Sequence, residues 1–80
     1  MARRNAAKRA PQPPEWEIDA RVMSGMSGGY RRIRDGVRLQ KESRRGVWVL
    51  WVDGQPVAEV ESPNPPLVWA DRQIPARRTG

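Results

Sequence analysis

Eighty residues carry fifteen Lys or Arg against nine Asp or Glu, a formal charge of +6, with neither Cys nor His. Domains usually run to about 100–150 residues, so one small domain is the ceiling. The missing Cys and His exclude zinc fingers, iron–sulfur sites, Ser-His-Asp and Cys-His chemistry and disulfide scaffolds, and no apolar run approaches the roughly 20 residues of a membrane-spanning helix.

Residues 1–14 (MARRNAAKRAPQPP) hold Arg3, Arg4, Lys8 and Arg9 with no acid. Beyond Met1 they contain no large apolar side chain, so they bury too little surface to offset ordering entropy and read as a disordered basic arm. No apolar core follows the Arg pair, as a secretory signal requires. Trp16 to Met23 then alternates, with Trp16, Ile18, Ala20 and Val22 on one face and Glu17, Asp19 and Arg21 on the other, the pattern of a half-buried strand. Ser24 to Gly29, three Gly in six residues, reads as a flexible loop.

Three turn signals, Asp35-Gly36, Arg45-Gly46 and Asp53-Gly54, space the next stretch as an antiparallel meander. A two-residue type I′ loop at Asp53-Gly54 pairs Val52 with Gln55, Trp51 with Pro56, Val49 with Ala58 and Val47 with Val60. Three-residue loops ending in Gly36 and Gly46 pair Ile33 with Val37, Ser43 with Val47 and Leu39 with Trp51. One apolar face then gathers Ile33, Val37, Leu39, Val47, Val49, Trp51, Ala58 and Val60, and the reverse carries Trp48, Leu50, Val52 and Val57. The reverse needs a cover: the first strand, the C-terminal segment or a partner. Ser62 to Pro66 ends the meander. Leu67 to Ile74 reads as a short helix started by Asn64, Pro65 or Pro66, or as an extended piece laid across the sheet, and residues 75–80 read as a disordered tail.

The expected fold is therefore a small all-β domain over residues 15–74, a meander of three to four strands, open or closed as an SH3-like barrel; a sheet with one C-terminal helix is the alternative. Domains this small bury only about 60% of their unfolded surface, so the four Trp must supply much of the core, or a partner must help.

Thirteen of the fifteen cations are Arg and Phe is absent, a skew typical of GC-rich genomes that suits a small accessory protein of a bacterium or its phage. The placement of charge says more than its total. Residues 31–45 hold seven cations (Arg31, Arg32, Arg34, Arg38, Lys41, Arg44, Arg45) against two acids, whereas residues 46–71 hold four acids and no cation. No His serves as a base and no Lys sits in an apolar run, so no enzyme, cofactor, metal or small-molecule substrate is implied. The leading expectation is a cytoplasmic nucleic-acid-binding protein, for DNA or RNA. In it the arm (Arg3, Arg4, Lys8, Arg9) and the hairpin (Arg31, Arg32, Arg34, Arg38, Arg44, Arg45) contact phosphate, and Tyr30 and Trp48 stack bases. The competing expectation is a protein-interaction module that binds a larger acidic protein, or its own copies, through an exposed patch of Trp48, Leu50, Val52 and Val57. On the bland alternative, Leu67, Val68 and Trp69 fold over that patch and make it core.

Overall fold

In the computed structural model, which describes residues 15–75, five strands follow one another as an antiparallel meander: β1 (Trp16–Asp19), β2 (Gly29–Arg32), β3 (Arg38–Glu42), β4 (Val47–Val52) and β5 (Gln55–Glu61). A seven-residue helix, α1 (Leu67–Gln73), is the last element among the described residues. The sheet stays open, with β1 and β5 as its two edges, so the barrel closure allowed by the sequence does not occur. The readings placed on residues 1–14 and 76–80, including Arg3, Arg4, Lys8 and Arg9, lie outside the described residues.

The turn chemistry is local and legible. Asp53 (φ 51°) and Gly54 (φ 80°) both adopt left-handed backbone, as a type I′ loop demands, and Val52 pairs with Gln55 as expected. The other two hairpins differ by one residue from the expectation. Gly46 N–H donates to the Glu42 carbonyl at 2.9 Å and Gly36 N–H to the Arg32 carbonyl at 2.8 Å. Each loop thus holds four residues, and Glu42 pairs with Val47, Lys41 with Trp48 and Leu39 with Leu50. A bulge between Leu50 and Trp51 then pairs Val49 with Glu59 and Leu50 with Ala58.

A one-residue slip moves every side chain of a strand to the opposite face. The expected apolar face is corrected accordingly. Val47, Val49 and Trp51 lie opposite the main core, Ile33 leaves the sheet and is exposed, and Trp48 and Leu50 join Val37 and Leu39 inside. The sequence VWVLWV of β4 is apolar at every position, so its own pattern does not choose a face.

Helix α1 covers that core. Pro65 and Pro66 precede it, the Ala70 N–H donates to the Pro66 carbonyl at 3.0 Å, and Pro75 follows its last turn. Ala70 is fully buried, with Leu67, Trp69 and Ile74 packed around the cluster of Val37, Leu39, Trp48 and Leu50. Burying each Leu contributes about 1.5–3 kcal/mol. The far end of the helix is tied to the first two strands: the Asp71 carboxylate accepts from the Trp16 indole at 3.2 Å and from Arg32 Nη1 at 3.0 Å. Gly29 permits the tight entry to β2, since a Cβ there would stand 2.1 Å from the Leu39 carbonyl oxygen.

Candidate binding surface

Four of the seven hairpin cations are consumed inside the fold. Arg32 is completely buried, forks onto Asp35 with two bonds of 2.9 Å, reaches Asp71, and lies 5.4 Å over the Trp16 ring. Burial acts to lower the Arg32 pKa, but the two carboxylates outweigh it and hold the guanidinium more firmly charged than usual. Arg38 Nη1 donates to both Asp19 oxygens, at 2.5 and 2.6 Å. Arg45 bridges Glu42 of β3 and Glu59 of β5, and Arg31 pairs with Glu17. The long-range segregation of charge in the sequence is thereby folded back on itself. Arg32, expected at the phosphate surface, is sealed within the protein, and Arg31, Arg38 and Arg45 already hold carboxylates.

Arg32 lies on the helix side with Asp71, whereas the pairs of Arg31, Arg38 and Arg45 line the face of the sheet opposite α1. Gln40 is fully buried there and donates to Asp19 at 2.6 Å and to the Arg21 carbonyl at 2.8 Å, while its own carbonyl accepts from the Met23 N–H at 3.2 Å. A single amide side chain so satisfies the backbone that leaves β1. Asp19 ends that strand by accepting from the Arg21 N–H two residues on, an Asx-turn. Burial pushes the Asp19 carboxyl up, but hydrogen bonds from Arg38, the Arg21 amide and Gln40, with the Arg38 charge, override this and leave it below its ordinary value. The strand expected to run to Met23 therefore stops at Asp19.

The expected contact patch at Trp48, Leu50, Val52 and Val57 does not form. Trp48 is 7% exposed with its indole N–H donated to the Ser62 carbonyl, Leu50 is inaccessible and Val52 packs against the core; only Val57 is exposed. Trp48 is also too enclosed to stack a base. Tyr30 remains half-buried beside it, ring centroids 6.4 Å apart.

An open groove lies instead at one corner of the helix-covered face. It measures about 510 Å³ and is lined chiefly by Ile18, Val22, Ser27, Tyr30, Lys41 and the edge of Trp48. Ile18 is 79% exposed and Val22 54% exposed. The lysine ammonium sits 5.5 Å over the Trp48 ring, which fixes a cation at the rim. The loop Ala20–Gly28 forms one wall and is anchored to β3, with Ser27 N–H donating to the Lys41 carbonyl at 2.8 Å and Lys41 N–H to Gly28 at 2.9 Å. Sequence reasoning missed this corner because alternation in Trp16 to Val22 predicts burial of Ile18. The short helix, reaching only from Leu67 to Gln73, leaves that end of β1 and β2 uncovered. Arg34 and Arg44 stay exposed at opposite ends of the sheet, in the loops before β3 and before β4.

Neither a family model, nor a curated protein sequence, nor a solved structure matches the chain. Among the described residues, no helix is long and apolar enough to cross a membrane.

Proposed function

We propose that the protein is a non-enzymatic nucleic-acid-binding protein whose phosphate contacts are made mainly by its two cationic ends, around a neutral β-sheet body. One observation carries this reading. Residues 15–75 hold nine Lys or Arg and nine Asp or Glu, so the body has no formal charge. The entire +6 falls on residues 1–14, with four cations and no acid, and on Arg77 and Arg78. Within the body, Arg31, Arg32, Arg38 and Arg45 are held by carboxylates, which leaves Arg34 and Arg44 as the hairpin's contribution from the original set. Clustered Arg and Lys neutralise phosphates and release counterions, which needs no catalytic group and no base-specific contact.

Anisotropy of a labelled mixed-sequence duplex and a single strand, titrated with the full chain at about 50 mM salt, tests the reading. Binding that weakens steeply with added salt is expected for either or both. Absence of binding to both at that salt contradicts it.

A further inference from the structure

Among the described residues the sheet has two unpaired edges, and their chemistry differs. On β5, Leu50 and Trp48 pair with Ala58 and Val60, so the outward backbone groups belong to Val57, Glu59 and Glu61. That edge carries Pro56, a bulge and two carboxylates, all devices that discourage another strand from adding. On β1 the Ile33 N–H donates to the Glu15 carbonyl at 3.0 Å. The alternation of an antiparallel ladder then turns Glu17 and Asp19 toward β2, and turns the N–H and C=O of Trp16 and Ile18 outward. The Ile18 side chain stands exposed on the groove side of this edge, and β1 itself holds no proline and no bulge.

The groove is lined by one cation, Lys41, and one acid, Asp19. That carboxylate is already engaged by Arg38, Gln40 and the Arg21 amide. Lys41 lines the groove, Arg21 precedes Val22, and Arg44 follows Ser43, whose hydroxyl donates to Ser27 Oγ at 2.8 Å. Among the described residues none of these three cations makes an ion pair.

We propose that the β1 edge and its corner groove are a docking site for an extended acidic peptide segment of a partner protein. The segment adds to the sheet beside Ile18 by main-chain hydrogen bonds and seats an apolar side chain against Ile18, Val22 and Tyr30. Its carboxylates face Lys41 at the groove rim, with Arg21 and Arg44 in the flanking loops. Strand addition supplies affinity through the backbone, and the pocket with its cations supplies selectivity.

The probe is a short synthetic peptide alternating valine and glutamate, titrated into the isotopically labelled full chain and followed by amide NMR shifts. Two control peptides accompany it, one with lysine for glutamate and one N-methylated at alternate amides. The expected result is shift changes centred on Ile18, Val22, Tyr30 and Lys41, with binding weakened about tenfold or more in either control and by Ile18→Asp. Ile18 is exposed, so Ile18→Asp keeps the wild-type melting profile, and Lys41→Glu gives a second weakened variant whose fold is checked the same way. Equal binding of the acidic and basic peptides, or shifts centred elsewhere, overturns the proposal. So does an oligonucleotide that perturbs the same residues and displaces the peptide, which makes the groove a nucleic-acid site. Concentration-dependent self-association abolished by Ile18→Asp, without peptide binding, also overturns it, because the occupant is then a second copy.

Discussion

Val47 and Leu50 lie three residues apart on β4 and both are buried, yet the material over them differs. Leu50 is covered by hydrocarbon: Leu39, Ala70 and the flank of α1. Val47 and Val49 lie between strands whose side chains form a polar mat, with Arg45 reaching across from Glu42 to Glu59 and Gln40, Asp19 and Arg38 joined beside it. Among the described residues, a sheet of five strands has apolar residues on two faces and one seven-residue helix to cover them. Here the second face is closed by arginines and acids brought together from distant parts of the sequence. The basic hairpin is therefore structural in large part, and a charge count along the sequence overstates what it offers a polyanion.

The largest effect that sharpens this contrast belongs to the helix-covered face. Leu50→Ala, at an inaccessible position, is expected to cost about 3 kcal/mol in denaturant unfolding; a loss under about 1 kcal/mol means that the hydrocarbon side is not the main core. The middle effect belongs to Asp19. Asp19→Asn removes a buried carboxylate acceptor from Arg38 and Gln40 and is expected to cost about 2 kcal/mol at neutral pH. Its folded pKa lies below the ordinary 3.8, so the stability it confers is complete above that value and is lost as pH falls through the folded one. The gap between wild type and variant is thus constant near neutrality and closes in acid. A gap that widens in acid contradicts the assignment. The smallest effect belongs to Arg45, whose guanidinium is solvent-facing: Arg45→Ala in moderate salt is expected to leave the melting temperature nearly unchanged. A large drop there makes the mat a stability element rather than a cover.

Much of the architecture was legible in local chemistry. The three Gly turns, the I′ loop at Asp53-Gly54 and a C-terminal segment started by prolines all follow from φ restrictions that single residues impose. Register beyond the I′ loop, where Val52–Gln55 and Trp51–Pro56 pair as expected, was not legible. A Gly at the last loop position suits three- and four-residue hairpins alike, and β4 offers no polar side chain to decide between them. The candidate site inherited that error: Trp48 and Leu50 belong to the face that α1 covers, and Arg32 and Arg38 find carboxylates only once Asp71, Asp35 and Asp19 are placed in space. The exposure of Ile18 depends on where the helix ends, which no pattern within Trp16 to Met23 encodes.

The central claim is that the binding charge lies on the ends and not on the body. The salt dependence of duplex binding tests it most directly, measured for the full chain, for the quadruple variant of Arg3, Arg4, Lys8 and Arg9 to Ala, and for the double variant of Arg34 and Arg44 to Ala. Each phosphate contact contributes about 0.9 to the slope of log K against log salt. The quadruple variant is expected to flatten the slope by up to about 3.6 and the double variant by at most about 1.8. The reverse ranking, with the hairpin variant losing the slope and the arm variant keeping it, contradicts the account.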